Sequence, residues 1–163
     1  MRLSPHFALR ELASTGHRSL LEDNIRQAQD STTIRSLTAL CETLLEPIRV
    51  HFAAPVVIHS GYRSGALNKT IGGSKTSQHM RGEAADLHVV GVPLRDVWEW
   101  VADSGLPFGQ LILEGYAAGE PSWLHISLGA PWRDSARCGQ VMDAVVDKAT
   151  GKARYRLVKQ VRA

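Results

Sequence analysis

Two histidines and one aspartate, held in two short segments, are the side chains best suited to chemistry in this chain. His79 and Asp86 lie seven positions apart in SQHMRGEAADLHV, with Gly82 between them to let the chain turn back, and His125 lies in SWLHISL. Two imidazoles and one carboxylate are a ligand set for a catalytic zinc ion whose fourth position is left to water. The three residues therefore predict a metal-dependent hydrolase.

Strands that can position these side chains are predicted from alternation of apolar and polar residues. In residues 84–90 and again in residues 122–128, every second side chain is suited to a core, while Asp86 and His125 point to the opposite side. If the two strands are neighbours, these two side chains meet on the open face of a sheet. His79 would then come from the loop just before the first strand.

Helices are predicted on either side of these strands. Residues 32–52 give the clearest pattern because apolar residues recur at spacings of three and four, and Pro47 predicts a kink or break within it. A second helix is predicted from Pro93 to about Ser104. Residues 61–82 are rich in Gly, Ser, Thr and Asn and predict a long loop.

The combined pattern predicts an α+β fold. We expect an antiparallel β-sheet of about six short strands, with two to three helices packed on one face. One domain is expected over residues 1–163, divided into an N-terminal arm and loop (1–31), a motif-bearing core (32–132) and a C-terminal hairpin (133–163) that turns near Thr150–Gly151.

Composition restricts the class of protein and of partner. The 163 residues are 44% hydrophobic, which is typical of a globular chain with its own core. A net charge of +3 without clustered basic residues argues against nucleic acid as a partner. No apolar run predicts membrane insertion, and the N-terminus lacks the apolar core of a signal peptide, so synthesis in the cytoplasm without a signal peptide is expected.

An ordered set of motifs surrounds the three candidate ligands: SGYRS at 60–64, LN at 67–68, IGGS at 71–74, S-x-H-x-x-G-x-A-x-D at 77–86 and W-x-H-x-S at 123–127. The set resembles the zinc D-Ala-D-Ala carboxypeptidase family of cell-wall peptidases, whose relatives include vancomycin-resistance D,D-peptidases, phage L-Ala-D-Glu endolysins and the hedgehog signalling domain. Small phage and prophage members look most similar. The resemblance extends from residue 3 to at least residue 132.

The resemblance implies a hedgehog and D-Ala-D-Ala peptidase-like fold with one Zn²⁺ per chain, held by His79, Asp86 and His125. It implies hydrolysis of peptide bonds in peptidoglycan, with stem peptides as the substrate and with a glutamate that activates a zinc-bound water. The carboxypeptidase and endopeptidase activities both stay open. Arg63 matches an arginine that contacts substrate and stabilises the reacting carbonyl, a task that suits a fixed charge with forked donors.

The catalytic base is the point at which the sequence departs from several relatives. These relatives carry an acidic residue three positions before the last histidine, where this chain has Ser122. Two carboxylates lie nearby, Glu114 and Glu120. Glu114 matches a glutamate that similar small members place at the end of the preceding strand, and alternation puts it on the same face as residue 112. We therefore predict Glu114 as the base, with Glu120 as the alternative.

Four further residues are candidates for contact with substrate. Ser77 and Gln78 precede the first ligand and are predicted to orient it or to bind substrate. Trp123 and Trp132 are predicted to line a groove, with structural packing as the alternative for both. His88 shares the face of Asp86 and is either a neighbour of the site or a polar surface residue.

A second class of function remains open at the sequence level. A zinc-stabilised binding or structural module without catalysis, such as a component of a phage tail, is favoured by Ser122 at the position of the missing acid. For the enzyme, action on the cell wall is expected after phage-type release or as part of a particle.

Overall fold

A six-stranded sheet organises the chain. The structure is a computed structural model that describes residues 1–116, 120–132, 138–146 and 153–161. The strands are β1 (Val56–Ser60), β2 (Ala84–Val89), β3 (Phe108–Glu114), β4 (Trp123–Leu128), β5 (Gln140–Val146) and β6 (Ala153–Gln160). Their order across the sheet is β1-β2-β4-β3-β5-β6. Strands β2 and β4, which carry two of the candidate ligands, are therefore direct neighbours.

The sheet is mixed, so the prediction of an antiparallel sheet was only partly right. Strand β5 pairs with β3 in parallel, with Leu111 opposite Val141, while the other neighbouring strands are antiparallel. The reason is positional. Strand β4 already has β2 and β3 on its two sides, so β5 takes the free edge of β3. The Gly139 N–H donates to the Phe108 carbonyl, so β5 begins beside the start of β3 and runs in the same direction.

Strands β5 and β6 are an antiparallel pair at the end of the chain, with residue pairs from Gln140–Gln160 to Val146–Ala153. The turn predicted near Thr150–Gly151 lies outside the described residues. The division of the chain into one domain with three segments stays a prediction.

The helices include the two long ones that the sequence predicted. They are α1 (Leu9–Leu12), α2 (Leu21–Gln27), α3 (Ser31–Leu40), α4 (Glu46–Phe52), α5 (Gly65–Thr70) and α6 (Leu94–Asp103), with 3₁₀ turns at Arg18–Leu20 and Gln78–Arg81. The prediction of one long loop over residues 61–82 was wrong. The Ser64 hydroxyl caps α5 by accepting a bond from the Leu67 N–H, and the Leu67 side chain is buried, so a short amphipathic helix forms there.

The helix over residues 31–52 continues past Pro47 instead of breaking. A π-helical turn at Cys41–Leu45 joins α3 to α4, and Pro47 lies in the first turn of α4. A proline lacks the N–H that an α-helix requires and crowds the preceding turn. A widened turn just before it relieves this conflict without ending the helix.

The core lies between the long helices and one face of the sheet. Leu37 and Leu44 from the helix are fully buried, as are Leu87, Leu124 and Ile126 from strands β2 and β4, and all five belong to one apolar cluster. This arrangement confirms the alternation predicted for both strands. The opposite face of the sheet is left free for polar side chains.

A buried asparagine ties the N-terminal segment to the loop after β1. Asn24 is fully buried, and its Nδ2 donates to the carbonyls of Ala13 and Tyr62 at 2.8 and 3.1 Å. Its Oδ1 accepts a bond from the Ser64 N–H at 2.7 Å. These bonds fix the backbone on either side of Arg63.

In the described ranges, no helix has both the length and the apolar character needed to cross a bilayer.

Candidate metal centre

Three buried side chains bring their donor atoms together on the open face of the sheet. His79 Nε2 lies 3.3 Å from His125 Nδ1, and Asp86 Oδ1 lies 3.3 Å from the former and 2.9 Å from the latter. Among the described residues, this is the one group of three or more metal-binding side chains that could hold an ion. The sequence prediction that these residues come together is confirmed.

Strand register and a tight turn account for this convergence. Asp86 in β2 and His125 in β4 are direct partners in the antiparallel ladder, so their side chains share one face. His79 comes from the 3₁₀ turn that precedes β2, and Gly82 ends that turn in the left-handed conformation. The chain can then reverse and bring His79 over the strand that follows.

The spacing of the donor atoms fits a zinc ion. Atoms bound to a tetrahedral zinc at about 2.0–2.1 Å lie roughly 3.3 Å from one another. The three separations here are 2.9, 3.3 and 3.3 Å. Two imidazole nitrogens and one carboxylate oxygen are also the donor types that zinc prefers, and three protein ligands leave one position open. The residues present therefore match the group that the sequence implied.

Partners behind the donors fix their orientation. The His79 Nδ1–H donates to the Gly61 carbonyl at 2.8 Å, which leaves the Nε2 lone pair facing the centre. Arg63 donates to the outer oxygen of Asp86 at 2.5 Å and, through Nε, to the Ser60 hydroxyl at 2.7 Å. The carboxylate is therefore held from behind while its inner oxygen stays directed at the histidines.

Burial and charge together favour the protonation states that a metal needs. Burial lowers the pKa of His79, although the Asp86 charge opposes this, so the neutral imidazole is favoured. For Asp86, burial by itself would raise the pKa, but its polar interactions with His79 and His125 outweigh burial and hold the pKa far below its usual range. An ionised carboxylate beside a neutral imidazole is ready to bind a cation.

Arg63 occupies a different place from the one its predicted role suggests. Its guanidinium is engaged by Asp86 and Ser60, and its side chain is only 14% exposed. It therefore lies behind a candidate ligand, where it orients the carboxylate and compensates its charge. Contact of Arg63 with substrate stays a prediction.

A cavity of about 770 Å³ opens beside the two histidines of the metal centre. His79 and His125 line it together with the predicted substrate-binding residues Ser77 and Gln78, and with Trp132. The Gln78 side chain is buried, and its Nε2 has no hydrogen-bond partner among the described residues.

Glu114 is the one carboxylate among the described residues that line this cavity. In the β3–β4 ladder, Ile112 pairs with His125 and Glu114 pairs with Trp123, so the Glu114 side chain lies on the face of the donors. The Trp123 Nε1–H donates to Glu114 Oε2 at 3.1 Å. Trp123 therefore holds the candidate base, and it lines a smaller cavity next to the main one.

Two sequence candidates lie apart from this arrangement. Glu120 is exposed and does not line the main cavity. His88 pairs with His59, its neighbour in β1, at 2.8 Å between Nδ1 and Nε2, and the two rings stack. Sequence reasoning missed the supporting roles of Ser60 and Gly61, which it recorded only as part of the SGYRS motif, and that of Asn24, which lies in none of the motifs.

We expect the Gly82→Ala variant to lose stability and zinc affinity. Gly82 has a φ of 67°, and a Cβ there would lie 3.0 Å from Leu37 Cγ and 3.2 Å from the Thr33 carbonyl oxygen. Gly91 is the matched control because its φ is 75° with nothing within 4 Å of an added Cβ. The left-handed backbone alone costs an alanine about 1–2 kcal/mol.

Urea unfolding of the metal-free proteins measures this difference. Gly91→Ala should lose about 1–2 kcal/mol of unfolding free energy. Gly82→Ala should lose more because its new methyl group also meets the core. Equal losses in the two variants would show that the methyl group added at position 82 does not clash with Leu37 or Thr33.

Comparison with protein families agrees with the geometry of the centre. The family model described as Peptidase M15 matches residues 5–126. This range includes the three donor residues as well as Arg63 and Glu114, and it ends before β5 and β6. No curated protein matches the chain at a significant level. Because the family match covers well over half of the chain, the protein belongs to the peptidase M15 family, and this membership implies a metallopeptidase.

Proposed function

We propose that the protein is a zinc peptidase that hydrolyses peptide bonds in the stem peptides of bacterial peptidoglycan. The observation that carries the proposal is the triangle of donor atoms from His79, Asp86 and His125, which faces a cavity that also contains Glu114. Membership of the peptidase M15 family supports the same chemistry.

In the proposed reaction, the zinc ion and the protein side chains have different tasks. When bound, zinc supplies a Lewis acid that polarises the scissile carbonyl and lowers the pKa of water to about 7. Glu114 takes a proton from the attacking water and passes it to the leaving amine as the peptide bond breaks. Trp123 keeps the Glu114 carboxylate in place through its Nε1–H. Arg63 keeps Asp86 oriented through its bond to the outer oxygen.

The substrate lies along the side of the cavity that is formed by the residues just before β2. Ser77 and Gln78 line the cavity beside His79 and form one side of the space assigned to the stem peptide. Trp132 lines the cavity as well and offers an apolar ring surface. These residues are the proposed substrate contacts, together with Trp123 at the adjoining cavity.

The test is a comparison of zinc-loaded and metal-free protein on purified peptidoglycan. We expect release of soluble fragments by the zinc-loaded protein, loss of this release after chelation, and its return when zinc is restored. Mass spectrometry of the products identifies the bond: loss of a terminal residue indicates a carboxypeptidase, whereas separation of cross-linked peptides indicates an endopeptidase. Stoichiometric zinc without cleavage of any wall type would contradict the proposal and favour a non-catalytic zinc module.

A further inference from the structure

The C-terminal strand pair adds an apolar surface to the open face of the sheet. Ile112 of β3 lies opposite His125 on one side and opposite Met142 of β5 on the other, so these side chains share the face of the donors. Ile112, Met142 and Ala144 form an apolar cluster separate from the main core, and Tyr116 packs against it. The family match ends before β5 and therefore does not include this part of the face.

The smaller cavity, with a volume of about 240 Å³, lies at the end of this surface. Pockets for whole small molecules begin at roughly 300 Å³, so this one has the size for a single side chain of a longer substrate. Glu114 is the one charged side chain among the described residues that line it. The rest of the lining is mostly aromatic and methyl groups, from Tyr116, Trp123, Tyr155, Ala144 and Ala153.

The Trp123 ring forms a fixed wall of the smaller cavity. Gly115 has a φ of 69°, and a Cβ added there would overlap the Trp123 ring, so the ring packs directly on the glycine backbone. The Trp123 Nε1–H also donates to Glu114 Oε2 at 3.1 Å. The ring is thus held both at its face and at its edge, and the shape of the cavity is set before substrate binds.

Glu114 connects the smaller cavity to the proposed reaction. Its side chain lines both the main cavity and the smaller one. A group that passes a proton to the leaving amine must lie within hydrogen-bond reach of that amine. The substrate residue that carries the amine therefore lies beside Glu114, where the smaller cavity begins.

We propose that the smaller cavity binds the side chain of the residue whose amine leaves, and that it selects an apolar side chain over a charged one. The inference rests on the proposed function, in which Glu114 transfers the proton. Apolar groups gain free energy when they leave water for aromatic and methyl surfaces. An acidic side chain would lose its hydration there and meet the Glu114 carboxylate, which has the same sign of charge. The C-terminal strand pair is then a specificity element of the peptidase.

The test uses synthetic stem peptides that differ only in the residue after the bond that is cut, once mass spectrometry of digested peptidoglycan has identified that bond. This residue is alanine, glutamate or lysine. With zinc-loaded wild type, we expect kcat/KM for the alanine peptide to exceed that for each charged peptide by at least about tenfold. Equal or faster cleavage of the glutamate peptide would overturn the inference. A preference for lysine would also overturn it, because the aromatic rings and Glu114 would then bind a cation.

The Ala153→Lys variant should change this preference. Ala153 is exposed at the start of β6 and lines the smaller cavity, so a lysine there adds a positive charge to the lining without entering the core. We expect the ratio of kcat/KM for the alanine peptide to that for the glutamate peptide to fall by about tenfold, because the acidic side chain gains a partner.

Val158→Lys is the matched control. It adds the same charge to the same strand at an exposed position that belongs to the lining of neither cavity, so the ratio should equal that of the wild type. Zinc content and the unfolding midpoint are measured for both variants and should stay at their wild-type values.

These results distinguish failure of the inference from failure of the proposed function. An unchanged ratio in Ala153→Lys, or an equal shift in Val158→Lys, would overturn the subsite while the peptidase function stands. The peptide series on the wild type tests the subsite without any variant. If zinc-loaded wild type cleaves neither peptidoglycan nor any of the peptides, the proposed function fails, and the inference fails with it.

Discussion

The His125→Ala variant should bind no zinc and show no peptidase activity. Bound metal is expected to fall from about one ion per chain to none that can be detected, because only two protein ligands remain and zinc sites require at least three. The measurement is metal analysis of the purified protein, followed by the peptidoglycan assay with added zinc.

The fold should survive this change, which makes the result interpretable. Asp86 keeps its bond from Arg63 and its contact with His79, so no buried charge is left without a partner. His88→Ala is the matched control, since it removes an imidazole from the same sheet whose own partner is His59. Zinc bound at full stoichiometry by His125→Ala would show that the metal lies elsewhere.

The parts of the site that the sequence predicted are those that depend on local pattern. Alternation along a strand decides which side chains share a face, so it placed Asp86 and His125 on the side opposite Leu87 and Leu124 before any pairing was known. Burying both apolar faces in one core then excludes a register shifted by one residue, and in the structure the two residues are direct partners. Glu114 is found on the same face by the same argument.

The parts that the sequence did not predict depend on the path of the chain between distant segments. Arg63 and Asp86 are 23 positions apart, and their bond follows from the pairing of β1 with β2, in which Ser60 lies opposite Asp86. The parallel direction of β5 follows from its start beside the first residue of β3, and no local pattern reports that. Tyr155 lines the same cavity as Glu114 because β5 and β6 continue the sheet from that edge.

The Glu114→Gln variant should separate metal binding from catalysis. Glutamine has nearly the same shape as glutamate and can still accept the Trp123 Nε1–H through its amide oxygen. It cannot take a proton from water at neutral pH. We therefore expect zinc to be retained in full and turnover to fall by a factor on the order of a hundred or more.

Glu120→Gln is the control that resolves the choice left open by the sequence. Both glutamates lie near the end of β3, but Glu114 lines the main cavity and Glu120 is exposed. Wild-type turnover in Glu120→Gln beside the loss in Glu114→Gln would assign the base to Glu114. The reverse pattern would move the proton transfer to Glu120 and require the loop that carries it to close over the metal.

The same pair of variants decides what Ser122 means for this chain. In relatives with an acid three positions before the last histidine, the base comes from the start of the strand that carries the ligand. Here the Ser122 hydroxyl donates to the Gly115 carbonyl and so stabilises the backbone at the end of β3. If Glu114→Gln keeps zinc and loses turnover, the catalytic base of this chain comes from β3, the strand next to the one that carries His125. The metal centre would then be catalytic in spite of the missing acid.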